Sequence, residues 1–383
     1  MELVVSGDSQ VHIQKGTTFN LSETPCKQCS LHSKIPDDKS STEGRSDIDQ
    51  RIVKSSELLI NKLETLENQI QLKKKIDDDL KNLNQELQEQ YKISSNLCEL
   101  GVFANGRYGQ VFLAIDPSTG DRIVKKKIYY SNFRMGHENR CYTEILSLAH
   151  ILKQSNPNLL QVYKIEFEKK DCVLSMEYGH GTLLDLFLFL ESERIIYYGL
   201  HDDLSNQIKS QIEILHQIKL CHRDIKPDNI ILRDGLRAVL CDYGLSLVGL
   251  ENKEQQLPIA GTFSYLPPEI ETALKSGLGS VKHNPYESDR FALDKVLHLV
   301  KQKCEEWKYK FVEKEYFIKE FQTCMEDKIM KKLRPEKREI LSQILQDISK
   351  RSHKENIEES NIISLNFTIN NSDDCSLKIK EDV

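Results

Sequence analysis

The chain has 383 residues, enough for one sizeable core plus an appendage, and carries 29% charged residues with a net charge of −6. The acidic balance supplies no basic field for nucleic acid and no polybasic patch beside a lipid anchor. No window reaches the roughly eighteen consecutive apolar residues of a membrane span, and the opening Met1-Glu2-Leu3-Val4-Val5-Ser6 lacks the layout of a signal peptide, so a cytoplasmic protein is expected. Residues 1–46 are rich in Ser, Thr, Lys and Asp, show little apolar periodicity and read as flexible. Within them Cys26, Cys29 and His32 have the spacing of half a zinc site, but the second ligand pair is missing nearby and would have to come from another chain. The ten cysteines are otherwise scattered, and no structural disulfide is expected.

Over 47–97 the composition shifts to Glu, Gln, Lys, Asp, Leu and Ile, with Gly and Pro absent from Asp47 to Asn96, which predicts one long helix. Leu59, Leu63, Leu66 and Ile70 alternate spacings of four and three, and Ile76, Leu80, Leu83 and Leu87 resume the pattern after an offset. Such a seam suits a coiled-coil homodimer through 47–97; the alternative is a solitary amphipathic helix lying on the rest of the chain.

At Leu100 the pattern turns to strands with a glycine hairpin, Phe103-Ala104-Asn105-Gly106-Arg107-Tyr108-Gly109-Gln110-Val111. A strand with three lysines follows, Ile123-Val124-Lys125-Lys126-Lys127-Ile128, then a helical stretch containing Glu144. Two apolar strands, Leu159 to Phe167 and Cys172 to Tyr178, end at Met176-Glu177-Tyr178-Gly179. Leu204, Ile208, Ile212 and Leu215 mark an amphipathic helix leading into His222-Arg223-Asp224-Ile225-Lys226-Pro227-Asp228-Asn229. In that run Asp224 could accept a nucleophile's proton, Lys226 could meet a phosphate charge and Asn229 could offer an oxygen to Mg²⁺. Beyond it lie Ile230-Ile231-Leu232, Leu240-Cys241-Asp242-Tyr243-Gly244, Gly261-Thr262-Phe263-Ser264-Tyr265-Leu266-Pro267-Pro268-Glu269 and a helix opening at Ser288-Asp289. Residues 350–383 are polar and read as a tail, with Ile362 to Ile369 as one loose strand.

The run from His222 to Asn229 resembles the catalytic loop of eukaryotic-type protein kinases, and Lys two residues after Asp is similar to the Ser/Thr branch. The remaining motifs match that family in order, from about Leu100 to Asp347. The resemblance implies an α+β, two-lobed protein kinase fold over 98–349, with a small β-rich N-lobe and a larger helical C-lobe, using ATP and Mg²⁺. Phe103, Ala104, Gly106 and Gly109 would then form the loop over the phosphates, with Ala104 replacing the family's first glycine. Alternation puts Val124 and Lys126 on one strand face, so Val111 and Val124 would cover the adenine while Lys126, held by Glu144, reaches the phosphates. Met176 would limit the depth of the slot, the backbone of Glu177 and Gly179 would read the adenine, and Ile231 would pack beneath it. Asp224 would be the catalytic carboxylate with Lys226 beside it, and Asn229 and Asp242 would hold the metal. Thr262 would bond Asp224 and Lys226, Asp289 would fix the catalytic-loop backbone, and Glu269 would pair with Arg338.

The expected function is therefore ATP-dependent phosphorylation of protein Ser/Thr hydroxyls. A pseudokinase scaffold that assembles partners through its helical region is the alternative, motivated by Ala104 and by Tyr243 in the place of Phe. The Gly261 to Glu269 segment speaks against a small-molecule substrate. Arg223 precedes Asp224, where the family usually places a cation for a loop phosphate, yet no Ser, Thr or Tyr occurs from Leu247 to Gly261. Glu251 or Glu254 is expected to approach Arg223 instead.

Overall fold

The computed structural model describes residues 46–350 apart from 65–71, 95, 107–108, 130–136, 168–170 and 307. Cys26, Cys29 and His32, the tail beyond 350, and the seam residues Leu66 and Ile70 lie outside the described residues.

Two helices, α1 (Asp47–Glu64) and α2 (Leu72–Tyr91), stand where one long helix is expected. Ser46 caps α1: its hydroxyl accepts the Asp49 N–H at 3.1 Å and donates to Asp49 Oδ2 at 2.8 Å. The helices run alongside each other, because Arg51 meets Glu86 and Glu89 at 2.8 Å each and Gln90 donates to Asp49 at 2.9 Å. Residues some forty positions apart cannot touch along one straight helix, whose length grows by about 1.5 Å per residue. The single-helix expectation is thus corrected to an antiparallel hairpin. Leu59, Leu63, Leu80, Leu83 and Leu87 are all buried within the one chain, in the main hydrophobic core. A dimer through this segment would have to use other residues.

Next comes a five-stranded antiparallel sheet of β1 (Cys98–Gly106), β2 (Gly109–Ile115), β3 (Arg122–Tyr129), β4 (Val162–Phe167) and β5 (Asp171–Glu177), in the order β1-β2-β3-β5-β4. Helix α3 (His137–Lys153) is inserted between β3 and β4. The hairpin lies on α3 and on β4, the edge strand. Asn84 of α2 caps that edge, donating to Ile165 O at 2.7 Å and accepting Ile165 N–H at 2.9 Å, so the side-chain amide stands in for a neighbouring strand. Tyr142 of α3 donates to Leu63 O at 2.7 Å.

The second lobe is mainly helical. Short strands β6 (Gly181–Thr182), β7 (Ile195–Ile196), β8 (Leu220–Cys221), β9 (Ile230–Arg233), β10 (Arg237–Leu240), β11 (Leu247–Val248), β12 (Gln255–Pro258), β13 (Ser280–His283) and β14 (Lys310–Phe311) are set among the helices. The helices are α4 (Leu183–Glu193), α5 (Leu200–Gln217), α6 (Pro268–Lys275), α7 (Pro285–Glu305) and α8 (Lys314–Lys332). A capping box of Thr182 and Asp185 starts α4, and the expected apolar face of α5, with Leu204, Ile208, Ile212 and Leu215, is buried. The chain crosses from β5 into β6, an edge of the sheet β10-β9-β6. Helix α8 and a last helix over 335–350 reach back to the first lobe: Arg122 of β3 forms a two-pronged pair with Glu326 at 2.5 Å, and Leu341 packs in one cluster with Leu100 and Leu113. No helix among the described residues is long and apolar enough to cross a membrane.

Candidate active site

Between the lobes lies a cleft of about 580 Å³. Its roof is the β1–β2 hairpin, with Phe103, Ala104, Gly109 and Val111 on the lining; Gly106 pairs with Gly109 at the hairpin tip. Gly109 is required by close approach, since a Cβ there would stand 1.9 Å from Lys127 O on β3. Val124, Met176, Glu177, Gly179 and Ile231 line the inner slot. Gly179 lies so close to Ile231 that an added Cβ would come within 2.8 Å of the isoleucine Cβ.

The three lysines of β3 separate as alternation requires. Lys126 Nζ lies 2.6 Å from Glu144 Oε1 and 2.8 Å from Asp242 Oδ1, whereas Lys125 pairs with Glu99 at 2.5 Å and Lys127 approaches the same carboxylate at 3.8 Å. Glu144 is buried, which requires α3 to be turned inward. Burial disfavours the ammonium of Lys126, but Asp242 and Glu144 outweigh it and raise its pKa. Burial likewise opposes ionisation of Asp242, yet Lys126 overrides it and holds the carboxyl at about 2. Asp242 also adopts φ of 67°, a left-handed conformation uncommon for a non-glycine residue. Tyr243 beside it is fully buried; its hydroxyl donates to Leu240 O at 3.1 Å and its ring meets His222 edge-on. The tyrosine thus keeps the aromatic packing with its polar tip satisfied.

In the loop after β8, Asp224 Oδ1 accepts at 2.6 Å from Thr262, which lies between β12 and α6 and accepts in turn from Lys226 Nζ at 2.9 Å, while Lys226 lies 2.9 Å from Asp224 Oδ2. Asn229 Nδ2 donates to Asp224 O and to Asp224 Oδ2, both at 2.9 Å. Asp289 accepts the N–H groups of His222 and Arg223 at 2.7 Å each. His222 accepts Asp224 N–H at Nδ1 and faces Cys241 O with Nε2, so Nε2 carries the proton. Burial lowers the His222 pKa and keeps the ring neutral.

Two contacts differ from expectation. Arg223 donates to Leu245 O at 3.5 Å and to Pro258 O, while Glu251 pairs with Lys253 and Glu254 with Lys282. Neighbouring lysines compete for those exposed carboxylates, and main-chain oxygens reach the guanidinium first. Arg338 does not meet Glu269: it lies at the start of the 335–350 helix, where its Nε donates to Leu333 O at 2.9 Å, and Glu269 is exposed. The return of that helix to the first lobe carries Arg338 away. Arg233 was not anticipated; it donates to Glu177 Oε2 at 2.7 Å. The available signal was alternation on β9, which places Arg233 on the same face as Ile231.

A protein kinase domain matches residues 97–363. Among curated relatives, MAP kinase kinase mkk-4 of Caenorhabditis elegans is 30% identical over 190 residues, 47% of this chain and 50% of that protein. Mitogen-activated protein kinase kinase kinase 4 of Homo sapiens is 30% identical over 177 residues, 44% of this chain and 10% of that protein. RAC-beta serine/threonine-protein kinase of Rattus norvegicus is 27% identical over 177 residues, 45% of this chain and 35% of that protein. The chain therefore spans no more than half the length of these three relatives. Because the matched domain covers well over half of the chain and runs through both lobes, the chain belongs to the protein kinase family.

Proposed function

We propose that the chain is an active Ser/Thr protein kinase that transfers the γ-phosphate of MgATP to protein hydroxyls. The observation that carries the reading is the placement of Lys126 Nζ between Glu144 and Asp242, in the same cleft as the Asp224–Lys226–Thr262 cluster. The donor set fits a hard cation. Asp242 is held ionised, and Asn229 spends its amide nitrogen on Asp224, leaving its carbonyl oxygen for a ligand. Asn229 and Asp242 would hold Mg²⁺ bound with ATP, which would supply positive charge against the charge developing on the phosphates.

Asp224 is fixed by Thr262 and Asn229 so that its carboxylate can orient a substrate hydroxyl and accept its proton. Lys226 sets a positive charge beside that carboxylate, where the transferred phosphoryl group would arrive. Lys126 positions the nucleotide phosphates, and Glu144 keeps it extended into the cleft. The apolar lining of the cleft, Val111 and Val124 from the first lobe and Ile231 from the second, suits a flat ring, and Met176 closes its inner end. The Lys following Asp224 by two residues and the likeness to RAC-beta serine/threonine-protein kinase support Ser/Thr as acceptors. Lys126→Met tests the reading: incubated with labelled ATP, Mg²⁺ and a protein acceptor, the wild type should transfer label and the variant should lose about 100-fold or more of that rate. Equal transfer by both proteins would defeat the assignment.

A further inference from the structure

The Glu177 carboxylate has a second role to fill. It accepts Gln161 N–H at 2.8 Å and Arg233 Nη1–H at 2.7 Å, and Glu177 N–H donates to Gln161 O at 3.0 Å. The other terminal nitrogen of Arg233 donates to Pro157 O, in the loop between α3 and β4. Gln161 donates through Nε2 to Leu159 O at 2.8 Å, and its Oε1 accepts the Tyr91 hydroxyl of α2. Glu177 and Arg233 are 7% and 9% exposed, so this network is shielded from water. It joins four pieces of the fold: the end of the helical hairpin, the α3–β4 loop, the last residue of β5 and strand β9.

Those pieces frame one slot. Glu177 begins the crossing between lobes and lines the cleft, and Ile231, which packs directly against Gly179 and lines the same cleft, lies on the same strand as Arg233. A buried ion pair at 2.7 Å fixes how far β9 can stand from β5, because separating the charges leaves each without compensation. Burial pushes the Glu177 carboxyl above its ordinary value against the pull of Gln161 N–H and Arg233, so Arg233 is one of the groups that favour the charged, hydrogen-bonding form.

We infer that Arg233 and Tyr91 are positioning residues for the nucleotide, acting through Glu177 to set the width of the adenine slot, so that the helical hairpin tunes nucleotide affinity. The inference rests on the kinase reading above. It predicts an effect on ATP binding separate from phosphotransfer. In Arg233→Met the full chain should bind ATP about tenfold more weakly, as for loss of a charged hydrogen bond, with kcat at saturating ATP within about threefold of wild type. Tyr91→Phe, which removes only the hydroxyl at the far end of the network, should weaken ATP binding about twofold to threefold and keeps the inference testable if Arg233→Met fails to fold. Arg233→Lys should recover part of the lost affinity. Direct titration with ATP reads the dissociation constant without turnover. A loss of folded or active fraction with unchanged ATP affinity in the variants that fold would overturn the inference. A wild type that neither binds ATP nor transfers phosphate would defeat the kinase reading instead.

Discussion

Leu59→Ala asks whether the helical hairpin is part of the catalytic core or a seam awaiting a second chain. Leu59 is fully buried, on a helix that packs against α2 and α3 within one molecule. Truncating a buried leucine removes its transfer free energy and leaves a cavity, together about 2–5 kcal/mol. At about 3 kcal/mol, and no more than about 2 °C per kcal/mol for a folded unit larger than about 250 residues, the melting temperature should fall by up to about 6 °C. The assay is a thermal melt with parallel activity at low and high protein concentration. An intrachain core predicts the same loss at both, since no association equilibrium is involved. A melting temperature unchanged by the substitution, or restored at high concentration, would refute the packing argument and return the leucines to an interchain seam.

Other outcomes follow from the site. Treating the protein with phosphatase should leave its activity intact, because Arg223 is already held by main-chain oxygens of Leu245 and Pro258; lost activity with a phosphate mapped between Asp242 and Glu269 would contradict this. His222 and His283 both have pKa values lowered by burial, so below about 6.5 the unfolded chain takes up protons that the native one does not. Denaturant titrations should show stability falling as the pH drops from about 7 towards 5, with a shallower fall in His283→Asn; equal slopes would remove that histidine from the account.

The cleft was largely legible because its residues sit at fixed short spacings on elements whose period is known. Alternation on β3 singles out Lys126, and the structure places that lysine, not Lys125 or Lys127, beside Glu144 and Asp242. Long-range choices were not legible. A heptad seam records that a helix face is apolar but not what covers it, and the reversal of α1 onto α2 is carried by Arg51 meeting Glu86 and Glu89 across the hairpin. Arg338 was misplaced for the same reason: nothing local says that the 335–350 helix returns to Leu100 and Leu113. The charges at Glu251 and Glu254 were visible, but not the nearer lysines that take them.

The central claim is tested most directly by phosphoamino-acid analysis of a protein acceptor labelled from ATP by wild type and by Asp224→Asn. Removing a catalytic base typically costs about 10²–10⁴-fold. The wild type should yield phosphoserine and phosphothreonine, and the variant, melting at the wild-type temperature, should yield neither above background. Undiminished labelling by Asp224→Asn, or label found only on tyrosine, would contradict the account.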